Sequence, residues 1–405
     1  MYGVCLQLES RVPARGEKAL GLCLYKILGQ MKSGCELCTV RFAHLTYTLM
    51  QRLLYLGLDA HARSCVLAAM NATGRLLYTK AFTTSQAALI SHVVAAPAHE
   101  KQLVLEESAL AGWIADALRP YVDKLIVCDP RQNALISRGG NKDDYTDAHK
   151  LCRLLRLGEL TPVYHSDQGH RVDFKIAVQQ YLAFRRNQAS LKAQIKAKYH
   201  QAGVVCVAGT RVFSKTDRTY YLKQLPSAAR QATVRRLYTL LDAAVSVQKE
   251  ARAAMIRLGR RYPEIQRFMQ MPGIGEVGAH VFDAYIQTPH RFATKQKLWR
   301  YCKLGVLERS SSGKPLAYKR LDRSGSGALK AVSYQCWLSA RKTREPNEVS
   351  QFYETSLIRT GNPTAARLNT QRKVLLVLWT IWKHNVAYNP HLFVTPARGS
   401  CVRSG

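Results

Sequence analysis

Apolar and polar positions change rhythm three times along the chain. From residue 52 the text reads as strands. The run Leu53-Leu54-Tyr55-Leu56-Gly57-Leu58 closes a strand over 52–59 at Asp59, and further strands over 63–71 and 75–82 flank the turn Asn71-Ala72-Thr73-Gly74. A helix over about 84–96 follows, then Leu103-Val104-Leu105 as a strand ending at Glu106. A helix at about 109–118 leads to the strand Lys124-Leu125-Ile126-Val127-Cys128, which closes at Asp129-Pro130. Three strands followed by alternating helix and strand predict a mixed sheet with helices against it. That order is compatible with an α/β RNase H-like domain, and the pattern alone also admits other α/β folds.

The second rhythm, from about 170 to 262, is helical. Ile176, Val178, Tyr181, Leu182 and Phe184 follow one helical stripe, and Val234, Leu237, Leu240, Leu241 and Ala244 follow another. An interruption at about 202–215 separates them, so the spacing predicts a coiled-coil-like arm or a helical hairpin packed on its neighbours. The third region, 264–345, opens on Met271-Pro272-Gly273-Ile274-Gly275 between two helices and holds the Ser- and Gly-rich stretch Ser310 to Gly327. A final helix at about 364–385 carries Trp379 and Trp382, both expected in the core. Residues 1–49 show no period and hold Cys5, Cys23, Cys35 and Cys38. They are expected to be a poorly ordered, non-native extension, with Met50 as the natural start. The resulting division is an extension over 1–49, an α/β domain over 50–165, a helical arm over 166–262, a mainly α C-terminal domain over 263–390 and a loose tail over 391–405.

Composition narrows the partner. The 405 residues carry 60 Lys plus Arg against 27 Asp plus Glu, a formal net charge of +33, while 47% of positions are hydrophobic. A folded chain with that surplus is expected to bind a polyanion, most often nucleic acid, through phosphate neutralisation and counterion release. No 18-residue uncharged apolar run and no basic-then-apolar leader are present, so a cytoplasmic protein with no membrane partner is expected. The 11 cysteines are scattered. Cys35 and Cys38 form the one close pair and lack a second pair at zinc-ribbon spacing, so reduced thiols are expected.

In so basic a chain, acids at strand ends demand an explanation. Asp144 and Asp147 stand at i and i+3 and share one helical face. Brought beside Asp59 and Glu106, they would form a cage of hard oxygen ligands suited to one or two Mg²⁺ ions and phosphodiester chemistry. Without a cation, four converging carboxylates would raise one another's pKa values. Spacing alone equally fits acids that cap and solubilise helix starts.

Two further constellations are weaker. Pro272-Gly273-Ile274-Gly275 resembles the turn of a helix-hairpin-helix module, where Gly273 and Gly275 would let backbone amides approach a phosphate; a plain helix–helix turn fits as well. Ser310-Ser311-Ser312-Gly313-Lys314 lies among cations that include Arg309, Lys319, Arg320, Arg323 and Lys330. A serine there could attack phosphorus with the cations balancing charge, and composition alone reads a flexible basic loop.

Taken in order, these pieces resemble the DEDD insertion-sequence transposases of the "IS one-ten" type, a family that includes the pilin-gene inverting recombinase. Gly57-Leu58-Asp59-Ala60-His61 matches the first acid motif and Leu105-Glu106-Glu107-Ser108 the second. Lys142-Asp143-Asp144-Tyr145-Thr146-Asp147-Ala148 follows the family's Lys-x-Asp-x-x-Asp-Ala pattern. Pro272-Gly273-Ile274-Gly275, Ser312-Gly313, and Ser324-Gly325 with Leu329-Lys330 continue the match, so that coverage runs from about 52 to 385. Ser108-Ala109 and Gly325-Ser326 depart from the family's usual text, as does the 49-residue extension.

The resemblance implies a RuvC-like DEDD nuclease domain, a coiled-coil arm and a C-terminal serine transposase domain. It implies that Asp59, Glu106, Asp144 and Asp147 bind Mg²⁺ and that Ser312, with Ser311 as the fallback, is the nucleophile. Gly273, Gly275, Lys314, Arg320, Arg323 and Lys330 are the expected nucleic-acid contacts. DNA, a structured guide RNA and a homo-oligomer (dimer or tetramer) with a composite site are the expected partners. The alternatives are a RuvC-like junction-cutting nuclease without serine chemistry and an inactive basic nucleic-acid-binding protein.

Overall fold

A computed structural model describes residues 52–130, 143–166, 169–205, 211–307, 310–311, 314–315 and 320–393. The extension over 1–49 with Met50, Cys35 and Cys38, the residues Ser312 and Gly313, and the tail from Pro396 onward lie outside the described residues. The chain divides into two compact units, 1–165 and 166–405.

The first unit is built on a five-stranded sheet of order β3-β2-β1-β4-β5. β1 (Leu53–Ala60), β2 (Ser64–Asn71) and β3 (Leu76–Thr83) form an antiparallel meander, while β4 (Glu100–Glu106) and β5 (Lys124–Cys128) join parallel to β1. The β2–β3 turn closes because the Asn71 side chain accepts from Thr73 Oγ1 and the Arg75 amide, and Gly74 supplies φ +89°. One sheet face, with Leu54, Leu56, Leu58, Leu67, Leu103 and Leu105, is covered by α1 (Gln86–Val94) and α2 (Ala111–Leu118). The opposite face, with Val66, Ala68, Val104 and Cys128, is covered by α3 (Asp144–Leu157). Both faces are buried, so β1 reads as a near-continuous apolar run rather than an alternation.

In the second unit, α4 (Gly169–His200) and α6 (Ala228–Gly259) each run 32 residues, about 48 Å. Phe174, Val178 and Tyr181 at the start of α4 pack with Ala251 and Met255 near the end of α6. Ile195 and Tyr199 at its end pack with Val234, Tyr238 and Leu241 near the start of α6, so the pair is antiparallel. Ile176 and Leu240, read as stripe members from the sequence, are each 55% exposed. The buried seams run through Phe174, Val178 and Tyr181 and through Val234, Tyr238 and Leu241, spaced three or four apart, and the two exposed positions fall off them. α5 (Arg218–Lys223) lies between the long helices.

The root of the α4–α6 pair merges with α7 (Pro263–Met269), α8 (Glu276–Ile286), α9 (Lys295–Tyr301), α10 (Gly327–Ala340), α11 (Glu348–Thr360) and α12 (Pro363–Lys383) into one large core. Trp379 is buried and donates from Nε1 to the Pro289 carbonyl at 2.7 Å, while Trp382 packs on Phe268. Among the described residues, four short strand pieces lie between α9 and α10: β6 (Val306–Leu307) pairs with β9 (Arg320–Leu321), and β7 (Ser310–Ser311) with β8 (Lys314–Pro315). Arg171 bonds both Glu264 and the fully buried Asp283 and lies over the Tyr262 ring at 3.8 Å.

Candidate metal centre and nucleic-acid interface

Strand parity delivers the first two acids to one place. Leu58 on β1 pairs with Leu105 on β4, so the next residues, Asp59 and Glu106, leave neighbouring strand ends on the same face. Residues of opposite parity, Leu58 and Leu105, point into the α1–α2 side, which places both acids on the side covered by α3. α3 begins at Asp144, with Asp143 as its N-cap residue, and carries Asp144 and Asp147 in its first turn. Carboxylates there are favoured by the helix dipole.

What brings α3 so close is Gly57, two residues before Asp59 on the same face. Any Cβ at that position would lie 2.3 Å from the Ala148 carbonyl oxygen and 2.7 Å from the Cys152 amide nitrogen. The contact is pinned one turn along by Cys152, whose buried thiol donates to the Tyr55 and Ala68 carbonyls at 3.3 and 3.1 Å. Burial pushes that thiol up to about 12, so it stays protonated and structural.

The compact group that results is Asp59, His61 and Asp144, whose ligand atoms all lie within 4.8 Å of one another. His61 Nε2 stands 3.3 Å from Asp59 Oδ2 and 3.7 Å from Asp144 Oδ1. Burial pushes the Asp59 carboxyl above its ordinary range; His61 opposes the shift, and the Asp144 and Asp147 carboxylates add to it. Asp147 is thus near enough to act on Asp59 while turning Oδ1 to Lys150 at 3.2 Å. Glu106 has one buried carboxylate oxygen and, like Asp147, stands outside the compact group. Beside it, Glu107 bonds His165.

Hard carboxylate oxygens with an imidazole, around an acid whose ionised form is disfavoured by burial and then by the Asp144 and Asp147 charges, fit a divalent cation. Sequence reasoning named the acids but not His61 as a site residue. The signal was present: Asp59 and His61 are two apart where a strand ends, a spacing that keeps side chains on one face.

The other candidates lie in the second unit. Gly273 has φ +84°, and a Cβ there would meet the Cys336 carbonyl oxygen at 2.3 Å, so its freedom serves close packing against α10. Gly275 is the N-cap residue of α8 and faces open space. Arg320 and Arg323 are exposed, and Lys330 is half-buried. Ser311 pairs with Lys314 through the backbone, and Ser312 lies outside the described residues.

Between the arginines, Asp322 accepts from the Ser324 amide at 2.8 Å, the Ser324 hydroxyl at 2.5 Å and Arg300 Nε at 3.0 Å. Burial pushes Asp322 up, but these bonds hold it below the usual carboxylate range. Gly325 at φ +92° tucks against the Tyr301 carbonyl, where a Cβ would come within 2.3 Å. No local pattern marks this clamp, because its members come from α9 and from the turn after β9.

Among the described residues, no helix is long and apolar enough to cross a membrane. No curated protein matches the chain. Two family models do. The DEDD transposase model of the IS110 type matches residues 56–202, which include all four acids and His61. The model described as "Transposase IS116/IS110/IS902 family" matches residues 265–354, which include the serine loop, the Asp322 clamp and both glycines of the 273–275 turn. The matches follow one another in order, together take in more than half of the chain, and the chain therefore belongs to the IS110/IS116/IS902 family of DEDD transposases, DNA transposase and recombinase enzymes.

Proposed function

We propose that this protein cleaves and rejoins DNA strands with Asp59, Glu106, Asp144 and Asp147 as metal-binding acids and Ser312 as nucleophile, acting as a homo-oligomer guided by a structured non-coding RNA in the bacterial cytoplasm. The observation that carries the reading is the convergence of Asp59 and Asp144 on His61 Nε2, at 3.3 and 3.7 Å, on the sheet face from which Glu106 also emerges.

Mg²⁺ is the expected ion, held by the four carboxylates. When bound it polarises the phosphodiester and stabilises charge on the attacking and leaving oxygens. The chain does the rest. Gly57 and Cys152 hold α3 against β1 and so keep Asp144 beside Asp59. Lys150 fixes Asp147. The Ser312 hydroxyl loses its proton and bonds to phosphorus as the bond from phosphorus to a sugar oxygen breaks, and that oxygen leaves as a hydroxyl. The phosphoserine ester conserves the phosphodiester, so a second DNA hydroxyl reverses the step and rejoins a strand. Lys314, Arg320, Arg323 and Lys330 balance charge along the DNA backbone, and amides at Gly273 and Gly275 are placed in the same role. Acids and serine would come from different protomers of a dimer or tetramer.

Strand exchange between the element's own ends, with its flanking RNA, tests the reading. Wild type is expected to form joined product and a protein–DNA adduct that survives denaturation. Asp144→Asn and Ser312→Ala are each expected to abolish both. Cleavage that survives Ser312→Ala without an adduct would make the chain a junction-cutting nuclease. Binding without cleavage, indifferent to Mg²⁺, would make it an inactive nucleic-acid-binding member of the family.

A further inference from the structure

His61 is unexplained by four carboxylates alone. Its backbone is held by the start of β2 and by the residue after β3: the amide donates to the Ser64 carbonyl at 2.9 Å, and the carbonyl accepts from Thr84 Oγ1 at 2.7 Å. The side chain is 58% exposed, so packing does not dictate its rotamer. Yet Nε2 sits between one oxygen of Asp59 and one of Asp144.

Around an ion bound at about 2.1 Å, adjacent donor atoms lie about 3 Å apart and opposite ones about 4.2 Å. The two His61 separations, 3.3 and 3.7 Å, fall between those limits, and the Asp59 and Asp144 oxygens lie within 4.8 Å of each other, so closure of the three groups by about 1 Å or less would seat all three donors on one ion. A neutral imidazole presents the Nε2 lone pair, and a mixed nitrogen–oxygen set favours first-row transition ions over Mg²⁺, which prefers oxygen donors alone.

We propose that His61 is a nitrogen ligand of the divalent ion bound by Asp59 and Asp144, and that it makes this centre favour Mn²⁺ over Mg²⁺. The inference rests on the acids being metal-binding, and it goes further by naming the donor and the selectivity. A rival account makes His61 only a protonated counter-charge to the two acids, in which case it would be displaced when an ion enters.

Mn²⁺ alone, added to the full-length protein, separates these accounts. Binding is measured by titration calorimetry with Mg²⁺ in parallel, and coordination by pulsed electron paramagnetic resonance, which detects ¹⁴N coupled to bound Mn²⁺. The expected result is one ¹⁴N-coupled Mn²⁺ in wild type. In His61→Ala the coupling should vanish, Mn²⁺ affinity should fall at least about tenfold, and the preference over Mg²⁺ should narrow. Mn²⁺ that binds wild type without ¹⁴N coupling, or coupling that persists in His61→Ala, overturns the role of His61 and leaves the carboxylate centre standing. Failure of wild type to bind either ion overturns the metal reading itself, and the His61 assignment with it. An unchanged thermal unfolding profile for His61→Ala, expected of so exposed a side chain, excludes misfolding as the cause.

Discussion

Gly57 on β1 and Ala148 on α3 touch through their backbones: a Cβ at residue 57 would lie 2.3 Å from the Ala148 carbonyl oxygen. Asp59 is the next residue on that face of β1, and Ala148 follows Asp147 directly, so this contact sets the spacing between the strand acid and the helix acids. Gly57→Ala forces α3 away from the sheet. The expected cost is about 1–3 kcal/mol of stability, as for an overpacked core. Loss of Mn²⁺ binding and strand exchange should be greater than that destabilisation alone explains. Gly112→Ala in α2 is the control, since nothing lies within 4 Å of the added methyl and helix propensity should rise. Thermal unfolding and calorimetry on the two variants check the contrast. Equal behaviour would show that the 57–148 contact does not govern the site.

Much of this arrangement was readable in advance, and the part that was not has a physical reason. Strand ends at Asp59 and Glu106 follow from local apolar runs, and Asp144 with Asp147 from a helical step, because both patterns depend only on nearby residues. Which strands are neighbours depends on non-local pairing, so the register of Leu58 with Leu105 was invisible. For His61 half of the signal is local, its two-residue spacing from Asp59, and the other half appears only when α3 brings Asp144 to it. The helical period over 170–262 is legible, while Ile176 and Leu240 fall off the buried seams because the partner helix decides which side of each helix is covered.

Arg171 joins the root of α4 to two acids, Glu264 and the fully buried Asp283. Burial pushes the Asp283 carboxyl well above its ordinary range; Arg171 opposes this and Glu264 adds to it. A group whose pKa is raised by folding stabilises the protein fully below its unfolded value, about 4, and loses that contribution as pH rises through the folded value. Stability of the second unit is therefore expected to decline from mildly acidic pH upward. Asp283→Asn should flatten that slope and be neutral or stabilising at pH 8. Arg171→Met leaves two acids buried without their cation and should cost about 3–5 kcal/mol. Urea unfolding between pH 5 and pH 9 checks both, and a slope unchanged in Asp283→Asn would assign the dependence to another group.

The far end of the arm holds its own small core, and a polar chain closes it. Tyr238 Oη donates to the Val212 carbonyl at 2.7 Å and meets Tyr199 Oη at 3.0 Å, while Arg218 grips Asp242 with two bonds of 2.7 Å. Tyr238→Phe leaves the Val212 carbonyl and Tyr199 hydroxyl buried with a lost partner, for an expected cost of about 1–3 kcal/mol. Arg218→Lys loses the fork and the stacking on Tyr238 and should cost about 1 kcal/mol. Because this core is separate from the one at the arm's root, hydrogen exchange is expected to quicken around 195–241 while amides of 263–286 keep their protection. Uniform acceleration across both stretches would show that the two cores unfold together.

Asp322 holds the turn from which Arg320 and Arg323 project, through Ser324 and Arg300. If those exposed arginines lie on DNA phosphates, each removes counterions in proportion to the contact it makes. Arg323→Ala should then lower the slope of log affinity against log salt concentration by about 0.9 and weaken binding to all duplex sequences alike. Arg341→Ala is the contrasting variant. Its guanidinium stacks on Tyr353 and Trp337, at 4.6 and 5.3 Å, so its loss should lower the unfolding temperature and leave the salt slope unchanged. Asp322→Asn keeps every formal cation but weakens the clamp, so affinity should fall while the turn loses protection from hydrogen exchange. Fluorescence anisotropy on a labelled duplex, between 50 and 300 mM salt, reads all three variants. A slope that stays at the wild-type value in Arg323→Ala would take this turn off the DNA path and leave the Asp322 clamp a purely structural device.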